Sequence, residues 1–498
     1  MKFGPLPPAL ALATAWCLLP QPVAAQLVVT NVILGTGTIS LSGTGGTNTA
    51  SCVLLSSVDT SSSFSNWAPV ATNNFDAAGN FAISAPAPAE AASQFYIITL
   101  GPAAGPTLVP GAYFCSPTGS DSNLGTVGSP FKTISRGLTA VGNGGVLYLR
   151  AGTYAQSAKL SLTRAANPTN TIRLWAYPGE SPLIDSTGNT SDGISISGSG
   201  YHLRGLHQQF AGHNGIVISG NSNLVENCSV YGNTNTGLHI TGGSSGSVFP
   251  AGNLVLNCDS SRNYDPPIGG NADGFTAKWN VGPGNVFSGC RAWENSDDGW
   301  DLWMATSPVL ITNCWSWHHG YNWWNSPSYN GNGNGFKMGG NYVGTPHRIV
   351  RCVAFNNAAN GIDQNNNTAG QTVDNNTCWA NGGRNINLNH NTTNAPMTGF
   401  HVVRNNLSIA GGSADAFMPG SILTSNSWQV ISSPAASAAD LQSTDISFAT
   451  APRQADGSLP ATPFLQPVIE GRLIDQGVII SGDAYLGAAP DLGAFEVQ

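Results

Sequence analysis

Five residues of this chain could do chemistry together if the fold stacked the segments that carry them. Asp273 stands in A-D-G-F, Asp297, Asp298 and Asp301 in D-D-G-W-D, and Lys337 in G-N-G-F-K. Four carboxylates gathered on one surface are hard oxygen donors, and they suit Ca²⁺, which accepts ~6–8 oxygens in flexible geometry. The thiols and imidazoles that zinc favours are absent from these phrases. A lysine beside such an ion is a candidate Brønsted base. Its ordinary pKa is ~10.4, and a nearby cation disfavours its charged form. Asp301 and Asp363 push the other way, so a bound metal decides the sign. Taken singly, each residue has a bland reading. Asp before Gly is a common turn former, and a lone lysine is usually solvated surface. Turn chemistry does not, however, ask for Asp at 297, 298 and 301 together beside an outward-facing lysine.

The stacking element is a Gly-centred phrase that returns eight times. It reads S-D-G-I at Gly193, H-N-G-I at Gly215, N-T-G-L at Gly237, A-D-G-F at Gly274, D-D-G-W at Gly299, G-N-G-F at Gly335 and A-N-G-I at Gly361, then loosely G-G-R-N-I-N-L. Successive glycines lie 22, 22, 37, 25, 36 and 26 residues apart. A period in the low twenties with short β-rich units predicts a parallel β-helix solenoid, in which equivalent positions of neighbouring coils stack ~4.8 Å apart. The position after the glycine holds Ile216, Leu238, Phe275, Trp300, Phe336 and Ile362, all apolar, and so faces the interior. Side chains alternate along a strand. The next column, Val217, His239, Thr276, Asp301, Lys337 and Asp363, is therefore expected on the outer face, with Asp301 and Lys337 one coil apart.

Residues 1–25 read as a secretory signal, with Lys2 as the one charge, an apolar run over Ala9–Leu19 and a small-residue ending at Ala24-Ala25. Secreted, extracellular placement follows from that reading, and no other stretch is apolar enough to span a bilayer. Residues 26–105 read as a small β-sandwich-like domain, with Ala85–Ala92 as a loop and Gly101–Pro110 as linker, and residues 106–498 as the β-helix. Phe131, Ile134, Leu138 and Val141 fit one face of a capping helix starting at Ser129-Pro130. The ending A-Y-L-G-A-A-P-D-L-G-A-F-E is expected to lie against the solenoid and close its far end. Cys228, Cys258, Cys290, Cys314 and Cys352 recur once per coil and predict a stack of free thiols, since parallel Cβ vectors suit no disulfide. With 18 basic against 26 acidic residues, the chain is a poor nucleic-acid binder. A monomer is expected.

Two long repeats, Gly237–Gly274 and Gly299–Gly335, carry insertions, which in solenoids emerge as loops on one side. The second contains W-S-W-H-H-G-Y-N-W-W-N-S-P-S-Y, whose aromatic faces could stack on sugar rings or form a loop core. Substrate-binding candidates are Lys278, Arg384, Trp303 and Trp323; His318, His319 and His347 are further polar options.

The phrases N-A-D-G-F, S-D-D-G-W-D-L and G-N-G-F-K-M-G-G resemble the family 9 polysaccharide lyases, from about Gly111 to the C-terminus. Spacings of 24 residues from Asp273 to Asp297 and 36 from Asp301 to Lys337 fit that pattern. The resemblance implies a right-handed parallel β-helix pectate lyase. It also implies calcium on Asp273, Asp297, Asp298 and Asp301, Lys337 as catalytic base, and polygalacturonate as substrate. In such β-elimination the base takes the proton from carbon 5 of a uronate. Two rivals stay open. A polygalacturonase-like hydrolase would need one carboxyl as acid and one as base, and its R-I-K motif is absent. A non-catalytic glycan-binding β-helix would need no lysine in the column.

Overall fold

The structure is a computed structural model that describes residues 28–35, 37–45, 51–57, 68–86, 95–100, 108–167, 169–389 and 395–497. The expected signal and most of the two expected loops at 87–92 and 101–107 lie outside the described residues. Compact units divide at Leu108 and Val109. In the first, two three-stranded antiparallel sheets enclose Ile39, Leu41, Cys52, Leu54, Phe75, Phe81 and Ile83, the arrangement of a small sandwich. Alternation makes this possible: Thr38–Thr44 buries Ile39 and Leu41 and turns Thr38 and Thr44 outward. Among the described residues, no helix is long and apolar enough to cross a membrane.

The second unit is a parallel β-helix. Its described strands form three parallel sheets of 10, 12 and 10 strands, each coil giving one short strand to each sheet. The columns read from the sequence are the observed register. Phe275 pairs with Trp300, Trp300 with Phe336 and Phe336 with Ile362. All four side chains are fully buried, and the aromatic rings stack at 4.8 Å along the interior. The core runs the length of the solenoid as rows of Ile, Leu, Val and Phe from successive coils.

Two features lock one coil to the next. Buried asparagines form ladders in which each backbone N–H donates to the side chain one coil on, as in Asn233 to Asn263 and Asn263 to Asn295. The thiols do the same: the N–H groups of Cys258, Cys290 and Cys314 each point at the sulfur of the following coil's cysteine at 3.4 Å. All eight cysteines among the described residues are free. The Asn that precedes Cys in L-V-E-N-C, L-V-L-N-C and L-I-T-N-C takes positive φ at 227, 257 and 313. A corner between sheets needs that left-handed turn, which Asn tolerates.

Both ends differ from expectation. The capping helix is shorter, Ile134–Ala140, and its N-cap is Thr133, whose hydroxyl accepts from the Arg136 N–H. Pro130 precedes it because Phe131 is bridged to Cys115 in extended backbone. The helix covers the first coil, with Ile134 and Val141 in the core cluster. Coils run on past Gly412 to a strand at Ile422–Thr424. A short helix, Ser427–Val430, sits at that end, with Trp428 stacked on Phe417. The C-terminal tail does not close the end. It lies along the outside of the third sheet, packing Phe464, Leu465, Leu473 and Leu492 on Trp315, Trp317, Val353 and Phe355. The outward side chains of those strands are apolar, and the tail covers them.

Candidate active site

The site is built on three adjacent coils, at the turn that leads into the first sheet. Strand Phe275–Lys278 turns Phe275 and Ala277 inward and Thr276 and Lys278 outward. Thr276 pairs with Asp301, and Asp301 with Lys337. Asp273 and Asp298 stand two residues before the buried Phe275 and Trp300, in equivalent places of neighbouring turns. Asp273, Asp297, Asp298 and Asp301 offer oxygens within 4.8 Å of one another.

Each carboxylate has two jobs, divided between its oxygens. Oδ1 of Asp273 accepts from the Asp298 N–H at 3.1 Å, and Oδ1 of Asp298 accepts from the Asn334 N–H at 2.7 Å. The same column continues as Asn334 accepting from the Asn360 N–H and Asn360 from the Arg384 N–H. Oδ1 of Asp301 accepts from the Trp303 N–H, and Oδ1 of Asp297 from the Asn332 N–H. One oxygen of each is thus tied to backbone. The turn-forming reading and the ligand reading are both satisfied, by different atoms.

Two lysines enter the cluster from the outer face. Lys278 Nζ lies 2.7 Å from Asp273 Oδ2 and 2.7 Å from Asp301 Oδ2. Lys337 Nζ lies 3.3 Å from Asp301 Oδ2 and 3.1 Å from Asp298 Oδ2, the latter an ion-pair distance without hydrogen-bond geometry. The expected open patch is instead sealed: Asp298 is 0% exposed and Lys337 8%. The two insertions meet beside it, at Ser296. Asn330 N–H donates to Ile268 carbonyl, Tyr329 hydroxyl to Ser296 carbonyl, and Trp324 stacks on Tyr264 at 4.6 Å.

Burial and like charge govern the electrostatics. Burial raises the Asp297 and Asp298 carboxyls, and neighbouring carboxylates add to it. Burial raises Asp273 as well, with Lys278 opposing. Asp301 goes the other way: burial would raise it, but Lys278 and Lys337 together hold it low. For Lys337, burial would lower the amine, and Asp298, Asp301 and Asp297 outweigh it, so it is held well above its usual range. Four carboxylates against two ammoniums leave a negative surplus made only of oxygen donors, and Asp298 Oδ2 has no hydrogen-bond donor. That donor set fits a hard divalent cation.

The other sequence candidates divide. Trp303 lies beside the cluster, its N–H on Asp301 and its ring edge-on to Trp279. Lys278, a substrate-binding candidate from the sequence, is inside the cluster. Arg384 sits in the turn column beyond Asn360, and its guanidinium makes no ion pair among the described residues. Trp323 is half-exposed and packs with His318 and Tyr321, away from the Trp324–Tyr264 stack. His319 is a ladder member: its Nδ1 accepts from the Asn295 N–H in the place an asparagine occupies elsewhere. His347 likewise accepts from the Val309 N–H. Sequence reading missed Asn334, whose Nδ2 also donates to Asp298 Oδ1; its position two residues before Phe336 was the available signal.

Known proteins share this arrangement of coils. The model described as "Pel9A-like, right handed beta helix region" matches residues 113–406. Pectate lyase L of Dickeya dadantii (strain 3937) is 39% identical over 403 residues, which cover 77% of this chain and 90% of that protein. The crystal structure of pectate lyase Pel9A superposes with a TM-score of 0.71 at 36% identity, over 78% of this chain and 96% of the other. A rhamnogalacturonan lyase structure follows at TM-score 0.63 and 26% identity, over 72% of this chain and 97% of the other. The chain belongs to the Pel9A-like right-handed β-helix family of polysaccharide lyases.

Proposed function

We propose that the chain cleaves de-esterified polygalacturonate by calcium-dependent β-elimination, with Lys337 as the base. The observation that carries this reading is the pairing of Asp301 with Lys337 inside a pocket of four carboxylates, on a chain 39% identical to a pectate lyase. Asp273, Asp297, Asp298 and Asp301 would hold Ca²⁺. When bound there, the ion supplies Lewis-acid stabilisation of the charge that builds on the uronate carboxylate. Lys337 works only as a neutral amine, so the carboxylates that keep it protonated need their charge answered first. It then takes the carbon 5 proton, the C–H electron pair forms the double bond between carbons 4 and 5 as the bond from carbon 4 to the leaving oxygen breaks, and that oxygen takes a proton from water, leaving an unsaturated uronate. Lys278, which shares Asp301 Oδ2 with Lys337, balances charge and orients Asp301. The partly buried Trp303 lies at the edge of the cluster, where a sugar ring can rest.

In the same reading, residues 1–25 are removed on secretion, residues 26–105 form an accessory module and residues 106–498 act as a monomeric lyase. The parting of compact units at Leu108 supports the division. The test is ultraviolet absorbance of products from polygalacturonate, with and without a chelator. Unsaturated product that disappears with chelator supports the proposal. Saturated product formed without calcium would favour hydrolysis, and no product would favour glycan binding alone.

A further inference from the structure

The turn column that carries Asp273 and Asp298 runs on through Asn334 and Asn360 to Arg384, one residue to each coil. The rungs before Arg384 share one duty. Each Oδ1 accepts the backbone N–H of the rung after it, from Asp273 and Asp298 to Asn334 and Asn360. Arginine carries donors and no acceptor, so this chain of bonds ends at Arg384. The Ser413 N–H, bridged to Arg384 from the next coil, donates to the Gly383 carbonyl instead. The ladder therefore does not account for an arginine at this rung.

The rest of the chain does not account for it either. Among the described residues the Arg384 guanidinium makes no ion pair or hydrogen bond, and its Nε is buried without a partner. Asp415, on the following coil, gives its Oδ1 to the Ile386 N–H. Arg150, Arg291, Arg404 and Arg472, by contrast, each hold a carboxylate at 2.6 to 2.8 Å. Guanidinium stays charged, and its planar fork fits the two oxygens of a carboxylate. Arg384 is partly exposed, so a carboxylate can reach it from solvent. Its backbone stands three coils from that of Asp298, roughly 14 Å at the ordinary strand spacing. A polyuronate carries one carboxylate on each sugar, and a single pyranose does not bridge that separation. A carboxylate held at Arg384 thus belongs to another sugar than the one at Asp301 and Lys337.

Taking polygalacturonate as the substrate, the reading on which this rests, we propose that Arg384 is a distal subsite for the carboxylate of a second uronate of the polymer. It stands on the edge of the solenoid shared with Asp273 and Asp298. Calorimetry in calcium, on the full chain carrying Lys337→Ala so that nothing is cleaved, compares digalacturonate, hexagalacturonate and fully methyl-esterified hexagalacturonate. Adding Arg384→Gln should weaken hexagalacturonate binding at least about tenfold and leave the other two ligands unchanged. In the active chain Arg384→Gln should raise KM for polygalacturonate with kcat kept, and Arg384→Lys should recover part of the loss. Thermal melts establish that Arg384→Gln is folded, and Arg384→Met replaces it if it is not. Equal hexagalacturonate affinity with and without Arg384→Gln overturns the subsite and leaves the catalytic reading standing. Equal weakening of the methyl-esterified ligand overturns it too, since a lost charge pair would spare an uncharged sugar. Absence of hexagalacturonate binding, with no unsaturated product from the unaltered chain, overturns the substrate reading and the subsite with it.

Discussion

Lys278 and Lys337 meet on a single atom, Asp301 Oδ2, at 2.7 and 3.3 Å. They reach it from strands two coils apart in register, with Asp301 between them. Neither is a free surface amine. Burial would lower each, but Asp273 and Asp301 raise Lys278, while Asp298 and Asp301 raise Lys337. The two differ in their second partner: Lys278 is tied to Asp273 in the turn before its own strand, at 2.7 Å, whereas Lys337 has only the longer contact to Asp298. The proposed base is Lys337, the one with the longer contacts.

Lys337→Ala should therefore lose at least the ~10²–10⁴ in rate that general-base catalysis contributes, while calcium and polymer binding remain. Lys337→Arg should fail as well, because guanidinium does not deprotonate in proteins. Initial rates of unsaturated product decide it. Near wild-type rate in Lys337→Arg would move the role to Lys278.

Asp298 separates binding from folding. Asp298→Asn keeps an acceptor for the Asn334 N–H but removes the charge, so calcium affinity should fall with little change in Tm. Asp298→Ala also leaves that buried N–H unmet, at about 1–3 kcal/mol. Calorimetric titration and thermal melts on both variants should show equal loss of calcium affinity and unequal loss of stability.

Calcium affinity should depend on pH above the ordinary carboxylate range of ~3.9. Asp297, Asp298 and Asp273 are raised by burial, so the metal-free site holds protons that metal must displace. Affinity is expected to climb as pH rises through these raised values, with proton release on binding. A dissociation constant flat between about pH 5 and 8 would contradict the assignment of these ligands.

His319 separates structure from catalysis. His319→Ala leaves the Asn295 N–H without its partner and should cost about 1–3 kcal/mol. His319→Asn supplies the residue that the ladder uses elsewhere and should retain both stability and activity. Loss of rate in a stable His319→Asn protein would instead mark it as an acid.

The interior and the register were legible because a glycine and an apolar residue recur in every coil, which fixed which residues stack. Asp301 beside Lys337 followed from that alone. Burial of the site did not follow, because it depends on how neighbouring side chains and loops pack around the outward column, and loops carry no period. The contacts of Lys278 were hidden for a similar reason: strand alternation shows that it faces outward, but not that Asp273 lies within its reach. The tail lies against the solenoid as expected, but A-P-D-L-G-A-F-E shows apolar content without showing which apolar face it covers. The outward Trp315, Trp317 and Phe355 were the available sign.

The turn column Asp273, Asp298, Asn334, Asn360 has a consequence for how such a site arises. Asn and Asp share the Oδ1 acceptor that each rung requires, and they differ only in whether the second atom is an amide or a charged oxygen. Exchanging one for the other leaves the coil's backbone undisturbed and switches a potential ligand on or off. A lineage can in that way carry its metal pocket along the solenoid, one turn at a time, without passing through an unfolded ancestor.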